Sequence, residues 1–226
     1  MAYIKHAIIC AAGLGSRLGL NKTKSLIKVN HKKIIDYQLE LLRDVPDVRI
    51  VVGFQSEKVI AHVRKTRKHV TFINNYYYKT TSSSYSAYLG TQNLSDPFLL
   101  LAGDVLIEPN SFSGFLKTCK SNQSLIGITK AKSQHPIFVD LDQNKKVVGL
   151  QRNSNTGFEW PCISFLNGVT IKKQNKYIFE NLIVELPIKS YPINCYEIDT
   201  KTDLELARKN HDHRIFSFVS SRDIPV

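Results

Sequence analysis

Long apolar runs are missing from this 226-residue chain, and that excludes the helical membrane-spanning class. No stretch approaches the roughly 20 residues a helix needs to cross a bilayer. Cysteine is sparse: Cys10, Cys119, Cys162 and Cys195 lie far apart, with no C-x-x-C pair. Such spacing disfavours zinc and a disulfide framework, and predicts free, mostly buried thiols in a reducing cytoplasm. Only Lys5 stands before the first short apolar run, so the N-terminus does not read as a signal peptide. Internal repeats, low-complexity tracts and linker-like stretches are lacking as well. A chain of this length buries a sizeable core as one domain, read here over 1–226. Acidic residues are outnumbered, 19 against 31 lysines and arginines, for a formal charge of +12. That balance raises nucleic acid as a partner. The cations are scattered, however, apart from Arg64, Lys65, Arg67 and Lys68 and the pair Lys172 and Lys173. No recognition-helix, zinc-finger or RNA-binding signature accompanies them. Anionic substrates and a solvated basic surface account for the charge, and no nucleic acid is expected.

What the chain does have is concentrated in residues 7–29, AIICAAGLGSRLGLNKTKSLIKV. The apolar residues 7–10 read as a buried strand delivered into a glycine-rich turn. Gly13 and Gly15 allow a sharp bend that brings bare N–H groups close to an anion. Arg17, Lys22, Lys24 and Lys28 add four cations close to that turn. Backbone donors and cations at the end of a buried strand suit a polyphosphate. A dinucleotide fingerprint fails, because Leu18 stands where its third glycine or alanine belongs, and a phosphate loop lacks its Gly-Lys-Ser/Thr. Read without further context, the same residues also fit a strand-to-helix turn with a solvated basic loop.

Periodicity supplies the frame. Residues 33–44 predict a helix, with Ile35, Leu39 and Leu42 on one face and Pro46 ending it. A β-branched strand follows over 48–54, a helix capped by Ser56, and a short strand over 70–73. This alternation predicts right-handed strand–helix–strand units in an α/β, Rossmann-like three-layer sandwich with a mostly parallel central sheet. Residues 74–92 carry a Thr/Ser run over 80–84 ahead of a helix with Tyr85 and Tyr88, which composition alone reads as a surface loop and capped helix. The apolar strand 97–104 ends in Gly-Asp, and a carboxylate at the C-terminal end of a central parallel strand sits where ligands bind. Shorter strands are expected near 125–129, 137–141, 146–150 and 162–171. Near the end, the strand CYEID runs into Thr200-Lys201-Thr202-Asp203, a capping box for a helix over 204–210.

The pattern A-A-G-x-G-S-R-L, with Lys24, Leu26 and Val29 spaced K-x-L-x-x-V, resembles the signature of the sugar-nucleotide and phosphocholine nucleotidyltransferases. The resemblance covers residues 4 to about 210, and Thr23 stands where that family usually has proline. It implies the nucleotide-diphospho-sugar transferase-like fold, with 1–110 as the nucleotide-binding half and 111–226 as the acceptor-binding half. It implies transfer of a nucleotidyl group to a phosphorylated acceptor, with Mg²⁺ held by Asp104 and Asp199. Arg17 and Lys24 would contact phosphates, and Ala11, Ala12, Gly13, Leu14, Gly15 and Ser16 would meet the nucleotide, together with Ser82 and Ser83. Arg152 would offer a cation to the acceptor phosphate, while Tyr85, Glu159 and Trp160 would contact the acceptor's head group. The Ser run followed by Tyr-Ser is similar to the cytidylyltransferase branch and points to CTP and phosphocholine. Phosphoglutamine, a sugar 1-phosphate for cell-surface polysaccharide, and a catalytically silent regulatory subunit stay open, as does self-association as a homo-oligomer.

Overall fold

The computed structural model describes residues 4–210. Its first half runs β1 (His6–Ala11), the hairpin β2 (Lys28–Val29) and β3 (Lys32–Lys33), α1 (Ile34–Leu41), β4 (Asp47–Val52), α2 (Ser56–Thr66), β5 (Thr71–Asn74), α3 (Ser83–Thr91), β6 (Phe98–Ala102) and β7 (Val105–Ile107). The second half adds α4 (Pro109–Thr118), β8 (Leu125–Lys130), β9 (Phe138–Leu141), β10 (Lys146–Gln151), β11 (Phe158–Glu159), β12 (Ile163–Leu166), α5 (Phe179–Leu182), β13 (Ile188–Pro192), β14 (Cys195–Glu197) and α6 (Lys201–Asn210).

Ten strands share one sheet in the order β11-β9-β10-β13-β8-β12-β6-β1-β4-β5. β6, β1, β4 and β5 run parallel, as strand–helix–strand units require. The second half extends the same sheet with mixed directions. β12 joins β6 antiparallel and β13 pairs β8 in parallel, whereas β10 runs antiparallel to both β9 and β13. The run of parallel neighbours therefore lies in the first half, and β13–β8 is a parallel pair within the mixed second half.

Apolar residues on consecutive positions give the central strands two buried faces. In β1, Ala7, Ile9 and Ala11 enter the core shared with Ile35 and Leu39 of α1 and Val59 and Val63 of α2. Ile8 and Ala12 enter the opposite core, against Ala87 of α3 and Leu182 of α5. Helices thus cover both faces, which makes the three layers. A Cβ on Gly90 of α3 would lie 2.5 Å from Ile8, so the close approach of α3 to β1 depends on that glycine. A third, smaller core joins Leu18, Ile27 and Val29 to Leu106, Ile198, Leu204 and Ala207. It fastens the glycine-rich turn of the first half to the last strand and helix.

Several boundaries differ from expectation for identifiable reasons. α1 ends at Leu41, and the carbonyls of Leu39, Leu42 and Val45 accept hydrogen bonds from the Arg67 guanidinium. Ser56 is the first residue of α2 and not its cap; Gln55 holds that place at φ 54°. Its side chain is spent on the Asn21 carbonyl and the Thr23 N–H, which pins the loop lacking the expected proline. α6 begins at Lys201, ahead of the expected start, because the Thr200–Asp203 box closes directly after the site loop. Among the described residues no helix is long and apolar enough to cross a membrane.

Candidate active site

β1 ends at Ala11, and the backbone that follows borders a cavity of about 350 Å³. The bend is completed at Gly15, whose φ of +64° lies in the left-handed region. A Cβ there would also press on the Lys22 carbonyl and the Lys24 side chain at 3.0 and 3.1 Å. Gly13 adopts no such conformation; the space beside it is open within 4 Å. The single turn Ser16–Leu18 buries Leu18 in the third core and leaves the neighbouring Arg17 half-exposed at the cavity.

A second short turn, Lys24–Leu26, buries Ser25 and Leu26 and sends Lys24 inward. The Lys24 ammonium donates to Asp104 Oδ2 at 2.7 Å and also to Asp199 Oδ1. Asp199 Oδ2 meets the Arg17 guanidinium. Asp104 follows β6 and Asp199 follows β14, so the ends of a central strand and of the last strand converge on one ammonium. Burial works against the charge on Lys24, but Asp104 and Asp199 outweigh it and raise its pKa. Asp203, itself buried, accepts from the Asp199 and Thr200 N–H groups and fixes the turn that presents Asp199.

Ala11, Ala12, Gly13, Leu14, Gly15, Ser16, Arg17, Lys24, Asp104 and Asp199 all line this cavity, as do Ser82, Ser83, Arg152 and Trp160. Lys22 and Lys28 do not. Two expected acceptor contacts need correction. Glu159 is 2% exposed and lies away from the cavity, its carboxylate accepting from the Lys132 and Ser133 N–H groups and the Ser133 hydroxyl. It organises a turn because β11 buries it against β8. Tyr85 also lies outside the lining; its ring packs against Tyr88 and Tyr77 at 6.0 and 6.4 Å. Trp160 borders the cavity but is only 2% exposed, and its Nε1 donates to Ser164 Oγ. Ser82 and Ser83 reach the lining with their hydroxyls already engaged by residues 176 and 178.

The structure brings in residues that the sequence reading passed over. Tyr177 and Phe179 stack at 5.9 Å, and the Arg152 guanidinium rests 4.3 Å from the Tyr177 ring centre. Asn75, directly after β5, donates to Thr81 and Ser86 and accepts from the Tyr77 N–H, tying down the loop before α3. Glu197 lines the cavity beside Asp104, and burial first, then Asp104, push its carboxyl well above the usual range. Its signal was present in the sequence: two residues before Asp199 on an alternating strand is the same face. Nothing comparable marks Asn75 or Tyr177, which reach the cavity from irregular segments far apart in the chain.

Comparison with known proteins places the chain in a family. Residues 7–170 match the MobA-like NTP transferase domain family. The choline-phosphate cytidylyltransferase of Streptococcus pneumoniae is 27% identical over 177 residues, which are 76% of this chain and 74% of that protein. The bifunctional protein GlmU of Aliarcobacter butzleri is 26% identical over 180 residues, 79% of this chain but 41% of that longer protein. The CTP:phosphoglutamine cytidylyltransferase of Campylobacter jejuni is 35% identical over 80 residues, 33% of this chain and 32% of its own. In fold, the solved CTP:phosphocholine cytidylyltransferase (LicC) of S. pneumoniae matches with a TM-score of 0.74 at 24% identity, covering 91% of this chain and 99% of that one. With residues 7–170, the glycine-rich turn among them, matched by the family model, the chain belongs to the MobA-like NTP transferase domain family and is a nucleotidyltransferase.

Proposed function

We propose that the protein transfers CMP from CTP to a small phosphorylated acceptor of the phosphocholine kind. The observation that carries the proposal is the meeting of Lys24 and Arg17 with Asp104 and Asp199 beside the glycine-rich turn. An oxygen of the acceptor phosphate attacks the α-phosphorus in line. The bond from that phosphorus to the oxygen bridging to the β-phosphate breaks, and pyrophosphate leaves with the electron pair. The nucleophile is already an anion, so catalysis consists of alignment and charge neutralisation and needs no strong base. Arg17, half-exposed and on a short turn, is free to exchange Asp199 for the β- and γ-phosphates. Lys24 neutralises charge at the α-phosphate. Arg152, on the far side of the cavity, offers its guanidinium to the acceptor phosphate.

The donor set fits a hard divalent cation. Two carboxylates, both hard oxygen donors, converge on one position that the Lys24 ammonium now fills. Mg²⁺ held by Asp104 and Asp199 would neutralise the polyphosphate and the departing pyrophosphate. Preference for CTP is supported by two relatives whose names carry it or its transferred group, and by no base-reading side chain. The cavity volume is in the ordinary range for small-molecule sites, roughly 300–1,000 Å³. The deciding experiment sets CTP, UTP, dTTP and GTP against phosphocholine, phosphoglutamine and sugar 1-phosphates, with pyrophosphate release as readout. A preference for dTTP or GTP with a sugar 1-phosphate overturns the cytidylyltransferase reading.

A further inference from the structure

The serine run that opens α3 is stitched to a segment about ninety-five positions further along the chain. The Ser82 N–H donates to Asn175 Oδ1 at 2.8 Å, and Asn175 Nδ2 donates to the Thr80 carbonyl at 3.0 Å. The Ser82 hydroxyl and the Ser84 N–H both donate to the Lys176 carbonyl. The Ile178 N–H donates to Ser83 Oγ at 3.1 Å, and below these Asn181 Nδ2 donates to the buried Ser84 Oγ at 2.6 Å. Ser82, the residue at the N-cap position of α3, leaves its helix uncapped by its side chain and spends the hydroxyl on this distant strand of backbone. Residues 172–176 have no helix or strand of their own, so these hydrogen bonds set their path.

That path decides where the far wall of the cavity stands. Tyr177, Ile178 and Phe179 follow directly and line it, and Tyr177 is the ring on which the Arg152 guanidinium rests. The connection therefore runs from Thr80 and Ser82 through Asn175 to Tyr177 and then Arg152. We propose that Asn175 is a positioning residue for the acceptor: it fixes the Tyr177 wall, and through it Arg152, at a set distance from the nucleotide half. The inference rests on the reading given under Proposed function, in which the acceptor meets this wall. Asn175 is exposed, so its side chain contributes little to the core; its two hydrogen bonds act on placement. The serine run thereby gains a role other than touching nucleotide, since most of its hydrogen bonds face the acceptor segment.

The test compares wild type, Asn175→Ala, Asn175→Asp and Tyr177→Ala, and the double variant of Asn175→Ala with Tyr177→Ala. Rates are measured with CTP and phosphocholine, and amide hydrogen exchange is measured on the ligand-free proteins. Asn175→Ala loses two hydrogen bonds and is expected to raise KM for phosphocholine about tenfold, with kcat and KM for CTP within about twofold. Asn175→Asp keeps the acceptor for the Ser82 N–H and recovers most of the loss. The double variant is no worse than Tyr177→Ala alone, because both changes act on the same wall. In the ligand-free protein, amides 177–179 exchange faster in Asn175→Ala while the thermal midpoint holds. Unchanged exchange at 177–179 overturns the proposal whatever the substrate. An equal loss in kcat and both KM values, with a lowered midpoint, assigns Asn175 to stability alone and also overturns it. Failure of the wild type to use phosphocholine with any of the four nucleotides overturns the substrate reading and leaves the exchange result to decide the role of Asn175.

Discussion

Replacing Lys24 with Met separates two effects that one ammonium combines. That ammonium bridges Asp104 and Asp199, at 2.7 Å in the first case, and so fills the position proposed above for a divalent cation. A cation entering without nucleotide must displace it. Charge-assisted hydrogen bonds contribute about 1.5–3 kcal/mol each. Arg17 continues to hold one oxygen of Asp199, so only part of that total is recovered when Lys24 is absent. Taking one such bond as the net gain, Lys24→Met should bind Mn²⁺ about 10- to 100-fold more tightly, since 1.4 kcal/mol is one decade. The same variant should lose about 10²-fold or more in kcat, the scale of one preorganised electrostatic donor. Titration calorimetry with Mn²⁺ on nucleotide-free protein gives the first number, and pyrophosphate release at saturating substrates gives the second. Opposite movements of affinity and turnover are the expected signature. Mn²⁺ binding that is unchanged or weaker in Lys24→Met would refute the idea that the ammonium and the metal compete for one position.

Asp104→Asn should abolish most turnover and keep the fold, because it removes a charge at a strand end beside the cavity; near wild-type rates at saturating Mg²⁺ would refute the metal assignment. Trp160→Ala should act through stability first, costing about 3–5 kcal/mol for an almost fully buried ring, and an unchanged urea midpoint would show the packing argument to be wrong. Cys10, Cys119 and Cys195 have thiols pushed up to about 12 by burial. These raised values favour folding below the unfolded pKa of 9, and the advantage disappears as pH climbs from 9 towards 12. At pH 8.5 iodoacetamide should therefore label the folded protein far more slowly than the protein in urea, and equal rates would contradict that burial.

How much of this was legible in the sequence depended on whether the cause was local. β1, the glycine-rich turn and the Thr200–Asp203 box follow from short-range pattern, and they stand where the pattern puts them. Asp104 and Asp199 could be read as strand-end carboxylates, but not their sharing of Lys24, which needs the third core to bring both chain halves together. Glu159 misled for the same reason. A carboxylate beside tryptophan looks like a ligand contact, and only the pairing of β11 with β8 and the turn at Ser133 reveal a buried structural acid. The direction of the second-half strands was equally hidden, since short apolar runs carry no mark of the neighbour they will find.

The position of β13 bears on how the chain reaches this state. Residues 188–192 do not join an edge of the sheet; they slot between β8 and β10, strands made some forty to sixty positions earlier. Until they arrive, β8 and β10 each present an open row of backbone donors and acceptors, the kind of edge that recruits other chains. Synthesis therefore yields no finished N-terminal piece that waits quietly for the remainder. The gap between β8 and β10 can close only once residues 188–192 have been made. Asp199 lies seven residues beyond β13, so closing the gap and completing the charged cluster belong to the same late event. A chain that has not passed that point has the glycine-rich turn and Lys24 without the Asp199 carboxylate that joins them.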